Sequence, residues 1–160
     1  MHARAAHLVE TLGLQPHPEG GWFGEVYRST DVVTRDGAAR DALTSIYYLL
    51  AADQVSRWHV VRLDEVWHFH EGDPLELLTC HPSEGRVEVL RLGPVSSDGA
   101  QPQHVVPRGV WQAARPTGGY ALVGCTVAPG FDFADFQFLA DLPDADAIFR
   151  GPLAGYESLR

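Results

Sequence analysis

The chain contains no lysine; all 12 of its cationic side chains are arginine. That removes a Schiff-base nucleophile, a P-loop lysine and an anchor for covalent pyridoxal phosphate. Cysteine is scarce too, with only Cys80 and Cys125, too few for a disulfide framework. A cytoplasmic protein with reduced thiols is the expectation. No apolar run approaches the roughly 18 residues of a membrane-spanning helix, and the opening MHARAAHLVE lacks the apolar stretch of a secretory signal. No membrane partner is expected. Positive charge is in deficit, since 21 carboxylates against 12 arginines leave a net charge of -9 that repels a polyanion. Nucleic acid is excluded as an expected partner on the same ground. The arginine-only, Ala- and Gly-rich composition suits a GC-rich bacterial genome.

What is present reads as one soluble domain over residues 1–160, a length that buries about 68–70% of the unfolded surface. Residues Ala3 to Leu14 carry Ala6, Leu8, Val9 and Leu12 on a helical stripe, stopped by Gly13, Pro16 and Pro18. After this helix the chain reads as short strands: Trp22 to Ser29, Leu43 to Ala51, Ser56 to Val61, Glu65 to His70 and Leu75 to Cys80 in the first half. Arg86 to Arg91, His104 to Val106, Val110 to Arg115, Tyr120 to Val127 and Phe133 to Phe138 follow. Turn clusters such as Glu71-Gly72-Asp73-Pro74, His81-Pro82-Ser83-Glu84-Gly85 and Pro116-Thr117-Gly118-Gly119 separate them. Many short strands at regular spacing predict a sandwich or barrel. The acidic tail from Asp141 reads equally as loop or short helix.

Chemistry concentrates between Trp58 and Gly72, where His59, His68 and His70 accompany Glu65. Alternation along a strand puts His68 and His70 on one face and Glu65, Trp67 and Phe69 on the other. The segment resembles the first motif of the cupins, small jelly-roll barrels, whose pattern is G-x5-H-x-H-x3-4-E-x6-G. Glu65 and Gly72 match, His59 stands at the first histidine position and Val61 at the second. The second motif is echoed by Pro107-Arg108-Gly109-Val110-Trp111, with Gln112 where the metal-binding histidine would stand. The resemblance is closer to the fifth cupin family. It rests on His17-Pro18-Glu19-Gly20-Gly21-Trp22-Phe23, Ser45-Ile46-Tyr47-Tyr48-Leu49-Leu50, Trp58-His59 through Leu75, Val106 through Gln112, and Val127 through Phe136.

The resemblance implies an all-β double-stranded β-helix, the jelly-roll or cupin barrel, with a short N-terminal helix, a central pocket and a homodimeric assembly. Within it His59 and Glu65 are the candidate catalytic pair. Arg57, Trp67, Gln112, Tyr48 and Glu25 are candidate ligand contacts: Arg57 for an anion, Trp67 for a ring, Gln112 to orient a polar group, Tyr48 as an acid. With Val61 and Gln112 in two ligand positions no cofactor is expected, and any divalent metal would bind weakly through His59 and Glu65. His68 and His70 should lie outward under a partner subunit. Cys125 is assigned no chemistry, and Gly130 to Asp135 reads as a structural turn. Two functions stay open: a metal-independent isomerase, epimerase or lyase acting on a polar, ring-bearing metabolite, or a noncatalytic ligand-binding barrel. A metal-dependent oxygenase or decarboxylase ranks last, because it would have to recruit His68, His70 or His104 against the strand parity.

Overall fold

The computed structural model describes residues 1–81 and 84–160. Helix α1 (Ala3–Thr11) is followed by β1 (Gln15–Pro16), β2 (Trp22–Arg28), β3 (Val32–Arg35), β4 (Ala38–Asp41), β5 (Thr44–Ala51), β6 (Ser56–Val61) and β7 (Asp64–Gly72). Then come β8 (Leu75–Cys80), β9 (Val87–Leu92), β10 (Gln103–Val106), β11 (Trp111–Pro116), β12 (Tyr120–Ala128), β13 (Phe136–Phe138) and helix α2 (Ala145–Arg150). One sheet has the order β1-β2-β5-β12-β7-β10, the other β13-β6-β11-β8-β9, and β3 pairs with β4 in a separate hairpin. This is the expected jelly roll. The strands pair antiparallel, and their inward side chains alternate with outward ones, so Tyr48, Trp67 and Val123 of the first sheet meet Leu75, Leu77 and Ala114 of the second in the central core.

Two outer layers complete the packing. Against the first sheet α1 buries Ala5 and Leu8 beside Leu49 and Leu122, so the apolar stripe runs through Ala5 where the sequence suggested Ala6. Against the second sheet the tail packs Ala145, Phe149, Leu153 and Leu159 over Trp58, Leu78 and Ala113. The ambiguous tail is therefore a structural cover. The predicted strand from Phe133 begins only at Phe136, because the Asp132 side chain accepts the Ala134 N–H and caps a single 3-10 turn over Phe133–Asp135. The β3–β4 hairpin adds to the strands read from sequence; its turn holds Asp36 at φ 51° and Gly37 at φ 80°, the left-handed pair that an Asp-Gly hairpin needs. Pro82 and Ser83 of the predicted 81–85 turn lie outside the described residues. Among the described residues no helix is long and apolar enough to cross a membrane.

The half of the first sheet's outer face that α1 leaves bare carries His68, held by Gln103 at 3.0 Å, and His70, whose ring meets Tyr47 edge-on at 5.8 Å. Both histidines thus lie outward as strand parity requires.

Candidate ligand-binding and acid-base site

One end of the barrel interior is open as a cavity of about 110 Å³. Glu65 and Trp67 of β7 reach it together, two residues apart on the inward face. Behind them, on the opposing sheet, Gln112 of β11 is fully buried and uses both ends of its amide. Its Nε2 donates to Glu65 Oε2 at 2.6 Å, and its Oε1 accepts the Trp67 indole N–H at 3.0 Å. Gln112 therefore orients Glu65 and does not line the cavity, which corrects the ligand contact expected of it. The relay fixes the carboxylate rotamer while its own amide stays satisfied.

His59 lies directly across the β6–β11 pairing from Gln112. Its Nδ1 is 2.7 Å from the Arg57 carbonyl oxygen, which can only accept, so Nδ1 carries the proton and Nε2 is free. Nε2 faces Oε1 of Glu19 at 3.5 Å, and the other Glu19 oxygen accepts from the Ser56 hydroxyl at 2.8 Å. A lone pair against a carboxylate requires one shared proton. Burial raises the Glu19 carboxyl above its ordinary range and lowers His59 below its own. Glu65 is pushed up to about 6, chiefly by burial, with His59 opposing the shift and Glu19 adding to it. The Cys125 thiol touches Glu65 and is itself raised well above the usual thiol range by burial, so it stays protonated.

Glu19 and His17 are absent from the residues that the sequence singles out, although both stand in the His17 to Phe23 phrase. Their loop is seated inside the barrel end by two glycines in left-handed conformations. A side chain at Gly20, φ 117°, would overlap the Val55 carbonyl, and one at Gly21, φ 68°, the Leu49 carbonyl. Only glycine allows that approach. The seat is locked by Tyr48, whose hydroxyl donates to the Gly20 carbonyl at 2.8 Å, and by His17, which packs edge-on against Phe23. Tyr48 lines the wall with its hydroxyl proton engaged by the Gly20 carbonyl, and burial pushes the phenol well above its ordinary range, so it stays protonated.

Arg57 does not reach the cavity. The β6–β11 register shifts between Gln112 and Ala114, so Ser56 and His59, three residues apart, both reach the Glu19 carboxylate. Arg57 falls in the bulge, donates to the Pro18 carbonyl at 2.7 Å and lies 4.3 Å over the Phe138 ring. Glu25 lines the mouth, where it pairs with Arg28 at 2.8 Å. Phe131 and Phe133, in the segment read as a plain turn, form the rest of that rim. Trp22, Trp58 and Trp111 pack in the outer layers, leaving Trp67 as the tryptophan of the cavity wall.

A family model described as Cupin superfamily (DUF985) matches residues 6–139. The chain belongs to that cupin family. A solved structure of a hypothetical protein from Leishmania major is 31% identical, with a TM-score of 0.83 over 97% of this chain and 96% of that one. Protein SO0799 from Shewanella oneidensis is 34% identical, with a TM-score of 0.79 over 92% of this chain and 95% of its own. The uncharacterized protein YML079W of Saccharomyces cerevisiae is 30% identical and aligns with 82% of this chain and 73% of its own.

Many cupins hold a metal at the motif positions, but the donors in those positions here do not suit one. Val61 is apolar, the Gln112 amide is spent on Glu65 and Trp67, and the Glu65 oxygen nearest it already accepts a hydrogen bond. His59 turns its free nitrogen toward Glu19, away from any third motif ligand. Among the described residues no group of three His, Cys, Asp or Glu side chains could hold a metal ion.

Proposed function

We propose that this cupin binds a small, polar, ring-bearing metabolite in the barrel interior and moves a proton on it without a metal, as an isomerase, epimerase or lyase. The observation that carries the reading is the Glu65 carboxylate: it is buried, aimed into the cavity by Gln112, and raised to about 6. A base tuned toward neutrality both takes and returns a proton efficiently. Glu65 removes a proton from substrate carbon, and the proton shared by Glu19 and His59 goes to the atom that must gain one. The number of protons on the site is then unchanged across an isomerisation. Trp67 offers a ring face for stacking.

The test works with a mixture of candidate substrates. Incubating the protein in heavy water with a metabolite extract should place deuterium on carbon in one or a few compounds, read by mass spectrometry. Glu65→Gln should slow that labelling by about 10²–10⁴, the usual worth of general acid/base assistance. A compound retained in native mass spectrometry but never labelled would leave a noncatalytic binding barrel instead. The assembly that accompanies this reading is a homodimer covering the bare sheet face, where Val105 is 56% exposed. Light scattering near the 17.5 kDa of one chain would overturn that part.

A further inference from the structure

The cavity lining is one-sided in charge. It contains the carboxylates of Glu19, Glu25 and Glu65 and a single cation, Arg28. That guanidinium is already held, by Glu25 at 2.8 Å and by Asp41 at 2.8 Å, and the other nearby arginine, Arg57, is turned to the Pro18 carbonyl. Four hydrogen-bond donors in and behind the lining are committed as well. The Tyr48 hydroxyl serves Gly20, the Trp67 indole serves Gln112, the Gln112 amide serves Glu65, and the Ser56 hydroxyl serves Glu19. What remains to a ligand is chiefly acceptors, beside two lining donors: the His17 ring, whose Nδ1 accepts the Glu19 N–H and so leaves the proton on Nε2, and the Thr44 hydroxyl, which accepts the Phe131 N–H. The walls between them are aromatic, with Phe23, Tyr48 and Trp67 inside and Phe131 and Phe133 at the rim.

We infer that the ligand of this cavity carries a protonated amine on a small apolar or aromatic body. The inference rests on the barrel interior being the ligand site, as proposed above, and adds the ligand's charge class. An ammonium supplies three donors to a site that offers acceptors, and the ring faces attract a cation. An anion would set oxygen against oxygen and find no free positive partner. The volume of about 110 Å³ has room for roughly seven to eleven water-sized groups, so a one-ring amine fits and a nucleotide does not.

Three probes of one shape and three charges separate the classes: benzylamine, benzyl alcohol and benzoate, titrated by calorimetry at about pH 7.5 and again at about pH 5. Benzylamine should bind about tenfold more tightly than either of the others at the higher pH, the upper part of the usual cation–π and ion-pair range. Its affinity should fall toward pH 5, because the cation must displace the proton that Glu65 takes up there; the groups facing Glu65 are Glu19, His59, Tyr48, Cys125 and Gln112. Benzoate should change in the opposite direction. Glu65→Gln should erase the advantage of the amine while leaving benzyl alcohol within about twofold. Benzyl alcohol or benzoate binding as tightly as benzylamine overturns the inference and leaves the barrel interior standing as a ligand site. Absence of binding by all three up to roughly 10 mM overturns the inference and the cavity reading together.

Discussion

Along single strands the barrel interior changes character from one end to the other. β5 turns Thr44, Ile46 and Tyr48 toward the cavity and then Leu50 into the core; β12 runs from Val127 and Cys125 to Val123 and Ala121. β7 begins with Glu65 and Trp67 and ends with Phe69 against the aliphatic cluster. The filled half is closed by Leu75, Leu77 and Leu92, each fully buried, together with Ala114 and Ala121. Glu65 lines the open half, and Ser56, His59 and Gln112, none of which lines the cavity, are buried behind Glu65 and Glu19. The same pleat supports both, so the chain separates stability from chemistry by position along a strand. The polar half carries a cost, because buried carboxylates are desolvated, and the filled half must offset it.

The largest effect should come from breaking the filled half. Leu77→Ala removes a fully buried side chain that packs where Ala114 and Ala121 leave little room to collapse. A loss of about 2–5 kcal/mol in urea denaturation is expected, with benzylamine affinity unchanged. If the affinity fell along with the stability, the two halves would not be separable.

The second effect has the opposite sign. Glu65 titrates at about 6 in the folded protein against 4.5 in an unfolded chain, so the fold takes up the proton more readily than the coil does. Stability from this group is complete below pH 4.5 and is lost as pH rises through 6, a difference of about 2 kcal/mol. Glu65→Gln should therefore be more stable than the parent by up to about 2 kcal/mol near pH 8, the gap closing as pH falls to about 4.5. Denaturation at the two pH values measures it; a variant less stable than the parent at pH 8 would sink the idea that the open half is held at a cost.

Much of this division was legible in the sequence. Strands with Val, Tyr and Trp at alternating positions announce themselves, and the inward set of β7 followed from parity alone, as did the outward His68 and His70. Parity failed at Arg57, because a bulge inserts a residue and resets the alternation, leaving Ser56 facing in and Arg57 at the edge. Glu19 escaped for a different reason: it sits in a loop, where no period assigns a face, and its place depends on how closely two glycines let the backbone approach β5 and Val55. The Asp36-Gly37 turn was a readable signal, but it joins strands of only four residues, none of them buried. The tail was obscure because α2 is six residues long, too short for a periodic stripe to stand out.

The smallest effect tests whether the relay behind Glu65 is packing or positioning. Trp67→Phe keeps a ring on the wall but deletes the N–H that Gln112 Oε1 accepts at 3.0 Å, at a cost of about 1 kcal/mol. If the indole polarises the Gln112 amide, it also strengthens the 2.6 Å bond to Glu65 and favours the ionised carboxylate. The loss should then be larger near pH 8, where Glu65 is charged, than near pH 5, where it is protonated. It should shrink by about 0.5 kcal/mol or more in the Glu65→Gln background, since a neutral amide at 65 draws less on the donor. An equal loss at both pH values and in both backgrounds would make Trp67 a wall residue only, and Gln112 would have to orient Glu65 unaided.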